Sequence, residues 1–205
     1  RENSAPPSIL ADTIEGVRIM VGLPTVRSLL IMTFLVEVLC FSHASVLPVL
    51  GRDRLGLDES DLGTLTAMAG FGSFLGALLL ARLSEYGRKG LMVIGVAALY
   101  GAGVLALGVS NVFALSLAVI TLVGMMAALF DALQWGLLQA NVPDALRGRA
   151  LGGWTFAVGF GWIGHLELGI VSDVIGVHWA LAINGTLIIV VAAVALVVAR
   201  SLKQA

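Results

Sequence analysis

Long apolar runs, separated by short polar segments, fill the chain after residue 27. Six of these runs are long enough for a helix that crosses a bilayer, which takes about 20 residues. They lie at residues 28–50, 62–82, 91–109, 113–139, 150–172 and 179–199. The pattern predicts an all-α integral membrane protein, with a six-helix bundle over residues 28–199 and a polar tail at residues 200–205.

The first 27 residues follow a different pattern. Residues 2–7 are polar, and residues 8–21 alternate apolar and charged positions at helical spacing. We expect a linker here with an amphipathic helix lying at the membrane surface, ended by Leu23 and Pro24. No charged segment precedes a cleavable apolar core, so the pattern is not typical of a signal peptide.

Composition excludes a soluble fold and several kinds of chemistry. Apolar residues make up 59% of the chain and charged residues 12%, about half of the roughly 25% found in average globular proteins. The net charge of −1 does not favour nucleic acid as a partner. Cys40 is the single cysteine, which excludes a disulfide framework. The chain begins with Arg1 rather than Met, and we expect it to be part of a longer protein.

Basic residues predict the orientation, because Lys and Arg collect on the cytoplasmic side. Two bases, Arg52 and Arg54, fall in one loop, which also holds several acids. The other ten fall on the opposite side: Arg1, Arg18, Arg27, Arg82, Arg88, Lys89, Arg147, Arg149, Arg200 and Lys203. We therefore expect a multi-pass protein of the inner (plasma) membrane with both termini in the cytoplasm.

An internal repeat relates the two halves of the bundle. When residues 62–87 are shifted by 89 positions onto residues 151–176, eight of the 26 pairs are identical, as in Gly70/Gly159 and Gly72/Gly161. The two segments cross the membrane in opposite directions, which is typical of an inverted repeat of three plus three helices. Chance alignment of glycine-rich apolar helices is the alternative.

Three acids lie in the interiors of the predicted helices. They are Glu37 in the first, Asp131 in the fourth and Glu167 in the fifth, and no Lys or Arg lies there with them. Intramembrane charge is costly and marks substrate or proton pathways. We therefore expect the first, fourth and fifth helices to line a polar interior, with the third and sixth packed outside. Purely structural, hydrogen-bonded acids remain the alternative.

Two further residues are candidates for the same pathway. Gln134 is three residues from Asp131 on the same helical face, where it can orient that carboxyl group. His165 shares a stripe with Ser172 and Asp173, which suits either a proton relay or a histidine bonded to a backbone carbonyl.

Enzymatic chemistry has little support. Ser73 lies among glycines, as a serine nucleophile of a membrane protease can, but no histidine is placed to activate it, and Trp162 takes its position in the repeat. No phosphate-binding glycine loop or metal-ligand spacing is present. We expect no enzyme activity and no cofactor.

Two cytoplasmic loops resemble those of the major facilitator superfamily. Gly87, Arg88 and Lys89 match the end of its signature Gly-x-x-x-Asp-Arg-x-Gly-Arg-Arg/Lys, although Ser84 and Glu85 depart from its Asp-Arg pair. The stretch from Pro143 to Gly148-Arg149 is similar to the Pro-x-x-x-x-Gly-Arg stretch between the tenth and eleventh helices of the superfamily. With Leu133-Gln134-Trp135, the chain looks most like the enterobactin-exporter-like branch.

The resemblance implies half of a twelve-helix transporter, its seventh to twelfth helices. It further implies proton-coupled efflux (proton antiport) of an amphipathic small molecule, in a lipid bilayer, beside an N-terminal six-helix half on the same or another chain. Glu37, Asp131, Gln134, His165 and Glu167 become the substrate and proton pathway. Gly87, Arg88, Lys89, Arg147 and Arg149 become a gating loop region. A six-helix scaffold or regulatory subunit that acts by partner binding is the alternative, and six further spans upstream would exclude it.

Overall fold

The computed structural model describes residue 18, residues 21–83, residues 87–199 and residue 202. Within these residues, six helical segments are long and apolar enough to cross a membrane. They are Pro24–Leu55, Glu59–Leu83, Lys89–Val109, Phe113–Ala140, Gly152–Ile175 and Val177–Val198, here called the first to sixth spans. The predicted six-helix, all-α membrane fold is confirmed. Most of the surface helix expected at residues 8–21 and most of the tail lie outside the described residues.

The spans consist of eight α-helices and two short helical turns among the described residues. The helices are α1 (Pro24–Val36), α2 (His43–Leu55), α3 (Glu59–Leu83), α4 (Lys89–Val109), α5 (Phe113–Ala140), α6 (Arg147–Gly159), α7 (Gly161–Ile175) and α8 (Val177–Val198). A π turn at Glu37–Phe41 joins α1 to α2, and a 3-10 turn at Asp144–Leu146 precedes α6. Helices are expected because lipid offers no partner for backbone polar groups, which must bond within the segment.

The first span is longer than its apolar run predicts. It begins at Pro24 rather than residue 28, because proline lacks an N–H group and fits the first turn of a helix. A π turn then interrupts the α-helical pattern, and Pro48 follows inside α2. Beyond the turn, the Ser42 hydroxyl donates to the Val38 carbonyl at 2.8 Å and His43 Nδ1 donates to the Cys40 carbonyl at 2.7 Å. These side chains provide hydrogen-bond donors to two backbone carbonyls within the π turn.

The fifth span is also broken, and the second and fourth are not. Phe160 separates α6 from α7, and the Ile163 N–H bonds back only three residues, to the Phe160 carbonyl, at 2.9 Å. By contrast, α3 and α5 run unbroken over 25 and 28 residues. The second and fourth spans are therefore an unbroken pair, and the first and fifth spans are an interrupted pair.

The second and fourth spans pack backbone against backbone through glycines. A Cβ atom on Gly72 would lie 2.0 Å from the Thr121 carbonyl oxygen, and one on Gly124 would lie 2.0 Å from that of Ala69. Ser73 Oγ also donates toward the Gly124 carbonyl across this contact, at 3.2 Å. Small residues allow membrane helices to approach this closely.

The third span is well covered within the described bundle, and its expected place outside the polar interior stays a prediction. It packs between the fourth and sixth spans, and half of its apolar window is buried. Glycines again explain the contact, because a Cβ on Gly101 would lie 2.7 Å from the Gly185 carbonyl oxygen. The second and fifth spans are the least covered instead, with 17% and 11% buried.

The span contacts agree with the inverted repeat. The repeat relates the second span to the fifth and the fourth to the first. The second span packs on the fourth, and the fifth correspondingly packs on the first. The third and sixth spans pack on each other. At the end of the bundle, Leu202 is buried and its backbone lies against Gly90, at the start of the third span.

Candidate functional site

Four polar side chains meet between the first and fourth spans, and we call them the acid cluster: Thr33, Glu37, Asp131 and Gln134. Gln134 links the two spans. Its Nε2 donates to Asp131 Oδ1 at 3.2 Å, and its Oε1 accepts a hydrogen bond from the Thr33 hydroxyl. Gln134 and Thr33 are each only 1% exposed. A buried amide that bonds on both sides holds Asp131 in a fixed position relative to the first span.

Glu37 lies at the start of the π turn and is buried. A Cβ on Gly161, at the break in the fifth span, would lie 3.5 Å from Glu37 Oε2, so the fifth span also borders the cluster. Glu37 and Asp131 are close enough to interact electrostatically. Every Lys and Arg of the spans lies near a span end. Two acidic side chains therefore lie within electrostatic range of each other here, and no Lys or Arg of the described spans lies beside them.

Tyr100 of the third span brings a further polar group to this region. Its ring packs edge-on against Phe41 and His43, with centroids 5.4 Å and 6.1 Å away. The side chain is fully buried, and its hydroxyl has no hydrogen-bond partner among the described residues. It interacts electrostatically with Asp131 and Glu37. Sequence reasoning missed both Tyr100 and Thr33, because neither is charged.

Glu167 bonds away from the acid cluster. Its Oε2 accepts a hydrogen bond from Asn184 Nδ2 of the sixth span, at 3.0 Å. Asn184 is buried, and its Oδ1 has no partner in the part of the chain that the structure describes. The sixth span is therefore not purely apolar packing. A lone amide in the apolar run at residues 177–198 was the available signal, and it was overlooked.

His165 is exposed and lines a separate pocket of about 450 Å³ between α2 and α7. The same pocket is lined by Asp53, near the C-terminal end of α2, and by Ser172 and Asp173, near the C-terminal end of α7. His165 interacts electrostatically with the buried His43 of the first span. Among the described residues, no three His, Cys, Asp or Glu side chains are grouped to hold a metal ion.

The residues of the predicted gating loop do not form one site in the described chain. Gly87 and Arg88 are exposed, and Lys89 begins α4. Arg147 pairs with Asp144 at 2.9 Å on the surface. The side chain of Arg149 lies outside the described part. Contacts from Arg88 and Lys89 to helix ends remain a prediction.

Together, these features define a class of protein. Broken helices that carry acids to the middle of a membrane bundle built from an inverted repeat are typical of secondary transporters. The profile of the Major Facilitator Superfamily matches residues 29–204. The chain belongs to the major facilitator superfamily and is a multi-pass membrane protein.

Relatives place it more finely within that family. The enterobactin exporter EntS of Shigella flexneri is 28% identical over 148 residues, covering 71% of this chain and 34% of the relative. EntS of Citrobacter koseri is 32% identical over 101 residues, covering 48% of this chain and 24% of the relative. The chain is similar to the EntS-like branch, and its matches span about a quarter to a third of the length of these relatives.

Proposed function

We propose that the chain forms the C-terminal half of a proton-coupled exporter of an amphipathic small molecule. The acid cluster carries the proposal. Glu37 and Asp131 come from two different spans, interact electrostatically and have no base of the described spans nearby. Acids within a membrane cost free energy, and those that occur there mark substrate or proton pathways.

The uncovered faces of the bundle support a second half as partner. The second and fifth spans are related by the repeat and are the least buried. Their large exposed side chains include Phe71, Phe74, Phe156 and Trp162. An N-terminal six-helix half, on the same or another chain, would cover these faces and close a central cavity.

The chemistry of the fifth span favours an amphipathic substrate. Phe156, Phe160 and Trp162 line a shallow pocket of about 440 Å³, which lies on the face proposed for the cavity. Aromatic rings bind the apolar part of a ligand, while the acid cluster supplies polar contacts. The relatives are named as exporters of enterobactin, which supports export as the direction.

Coupling would follow from the position of the acids. A proton entering from outside neutralises Asp131 or Glu37 and removes the repulsion between them. Release of the proton inside restores that repulsion. Transport is driven only if the inward-open and outward-open states differ in proton affinity. Gln134 links Asp131 to the interrupted first span by hydrogen bonds, so a change in protonation of the Asp131 carboxyl group is transmitted to that span. His165 and Glu167 would extend the pathway toward the outer end.

The loop residues Arg88, Lys89, Arg147 and Arg149 would hold the cytoplasmic ends of helices together in one state, by bonding to helix C-terminal carbonyls or to nearby acids. Replacing both Arg88 and Lys89 by Gln is then expected to slow transport without reversing orientation.

The coupling proposal is tested by Asp131→Asn in the full-length protein that carries this chain. We expect transport against a gradient to be abolished while exchange without a gradient continues, because Asn keeps the shape but cannot release a proton. Glu59→Gln, an exposed acid at the start of the second span, is the control. An Asn variant that still extrudes substrate against its gradient would overturn the proposal.

The orientation is tested by labelling from outside, in a Cys40→Ser background. A cysteine at Asp58 should react with an impermeant reagent in intact cells, whereas one at Arg88 should not. Labelling at position 88 would contradict cytoplasmic termini.

A further inference from the structure

An apolar groove runs between the first and sixth spans, lined by other residues than those of the acid cluster. It encloses about 560 Å³. Met32 forms its buried floor, and its edges are exposed apolar side chains, among them Ile31, Val190, Val194 and Val198. The groove therefore opens sideways from the bundle, where the surrounding medium is lipid.

One end of this groove carries a cation that has no ion pair in the part of the chain that the structure describes. Arg27 lines it, is exposed, and takes part in no ion pair within the described residues. The Ser28 hydroxyl beside it already donates to the Pro24 carbonyl at 3.0 Å. Arg27 is therefore the group available to a ligand, and its charge and fork of N–H donors favour a phosphate or carboxylate.

The dimensions of the groove match one leaflet. Its lining on the first span runs from Pro24 to Leu35, which is about 17 Å along a helix at 1.5 Å per residue. Half of a hydrocarbon core is about 15 Å thick. Arg27 is about 19 Å along the helix axis from the middle of the first span, Pro24–Leu55, and so reaches the headgroup level.

We propose that this groove binds one anionic phospholipid, with an acyl chain along Met32 and Val194 and the phosphate on Arg27. The observations favour a lipid over a second protein half, because the largest uncovered faces belong to the second and fifth spans instead. The site does not depend on proton coupling or on the identity of the exported substrate.

The headgroup contact is tested with the full-length protein in nanodiscs of mixed phosphatidylglycerol and phosphatidylcholine, counting retained lipids by native mass spectrometry. We expect phosphatidylglycerol to be retained preferentially. Arg27→Gln should reduce that preference about fivefold, the effect of removing one base near an anionic leaflet. Arg52→Gln, an exposed base at the opposite end of the same span, should leave it unchanged. An unchanged preference in Arg27→Gln would overturn the proposal.

The chain contact is tested by filling the groove. Val194→Trp should lower retention of the bound lipid, whereas Val197→Trp should not, because Val197 is on the same helix but outside the groove. Equal retention in the two variants contradicts the site. Two other results would also overturn it. One is displacement of the lipid by inorganic phosphate, which indicates a simple anion site. The other is increased lipid retention after deletion of residues 1–20, which indicates that the chain itself occupies the groove.

Discussion

Two helix pairs related by the inverted repeat are built in opposite ways. In the packed pair, the second and fourth spans, both helices are unbroken and meet backbone to backbone at Gly72, Gly76 and Gly124. In the broken pair, the first and fifth spans, a π turn and the break at Phe160 interrupt both helices. One close glycine contact is present there: a Cβ on Gly164 would lie 2.1 Å from the Val38 carbonyl oxygen.

The difference separates rigidity from chemistry. Glu37 and Glu167 are on the broken pair, and Asp131 lies on the part of the fourth span that faces the first span. Interrupted helices are tolerated in membranes only where protein or a cavity satisfies the freed backbone groups. Such interruptions also concentrate at functional sites. The packed pair then serves as a fixed frame against which the broken pair can move.

The largest expected effect is on the stability of the packed pair. Gly124→Ala places a methyl group 2.0 Å from the Ala69 carbonyl oxygen, so the helices must separate. We expect a loss of about 1–3 kcal/mol in the free energy of unfolding, typical of overpacking. Denaturant unfolding of the full-length protein, followed by tryptophan fluorescence, measures it. Gly136→Ala on the same helix meets no atom within 4 Å and should be neutral or stabilising by up to about 1 kcal/mol.

The matching substitution in the broken pair sharpens the contrast. Gly164→Ala meets the Val38 carbonyl inside the π turn. Because these helices are already interrupted, we expect them to shift, with a smaller loss of stability than Gly124→Ala and a larger loss of transport. If Gly164→Ala costs as much stability as Gly124→Ala and leaves transport unchanged, the two pairs do not differ in the way described.

Polar substitutions at two contacts of the packed pair give the next effect: Gln134, on the fourth span, bonds to the first span of the broken pair, whereas Ser73, on the second span, bonds within the packed pair. Gln134→Leu removes both hydrogen bonds that join Thr33 to Asp131; Thr33 Oγ1 keeps its bond to the Leu29 carbonyl, and the half-buried Asp131 loses the Gln134 amide. We expect a cost of about 1–3 kcal/mol and a changed pH profile of transport. Ser73→Ala, in the packed pair, removes a hydroxyl whose two contacts are both 3.2 Å long. It should cost less than about 1 kcal/mol and leave the pH profile unaltered. A pH profile unchanged by Gln134→Leu would remove Gln134 from the pathway.

The smallest expected stability effect is at Tyr100. Tyr100→Phe deletes a buried hydroxyl without a partner among the described residues, so stability should stay within about 1 kcal/mol of the parent protein or rise. Transport is the informative measurement. A slower rate at unchanged stability would indicate that the hydroxyl bonds to Glu37 or Asp131 in another state of the cycle. A stability loss well above this range would show that the hydroxyl is already bonded.

The sequence by itself determined the number of spans, the membrane environment and the set of interior acids. Apolar runs of about 20 residues have one stable form in lipid, the hydrogen-bonded helix, so local pattern is sufficient. The hydrogen bond from Gln134 to Asp131 could also be anticipated, because residues three apart share a helical face. The start of the first span was misjudged only because Pro24 looked like a helix breaker rather than a first-turn residue.

Only the tertiary structure decided which spans are covered and which residues complete the site. Glycines occur throughout the chain, but Gly72, Gly101 and Gly124 meet a neighbouring backbone, while Gly70 and Gly136 meet nothing. The third span is buried for this reason. Thr33 and Gln134 are 101 positions apart, and Asn184 of the sixth span bonds to Glu167 of the fifth. Such pairs depend on how helices rotate and approach one another, which packing against neighbours sets and a local pattern of apolar residues does not encode.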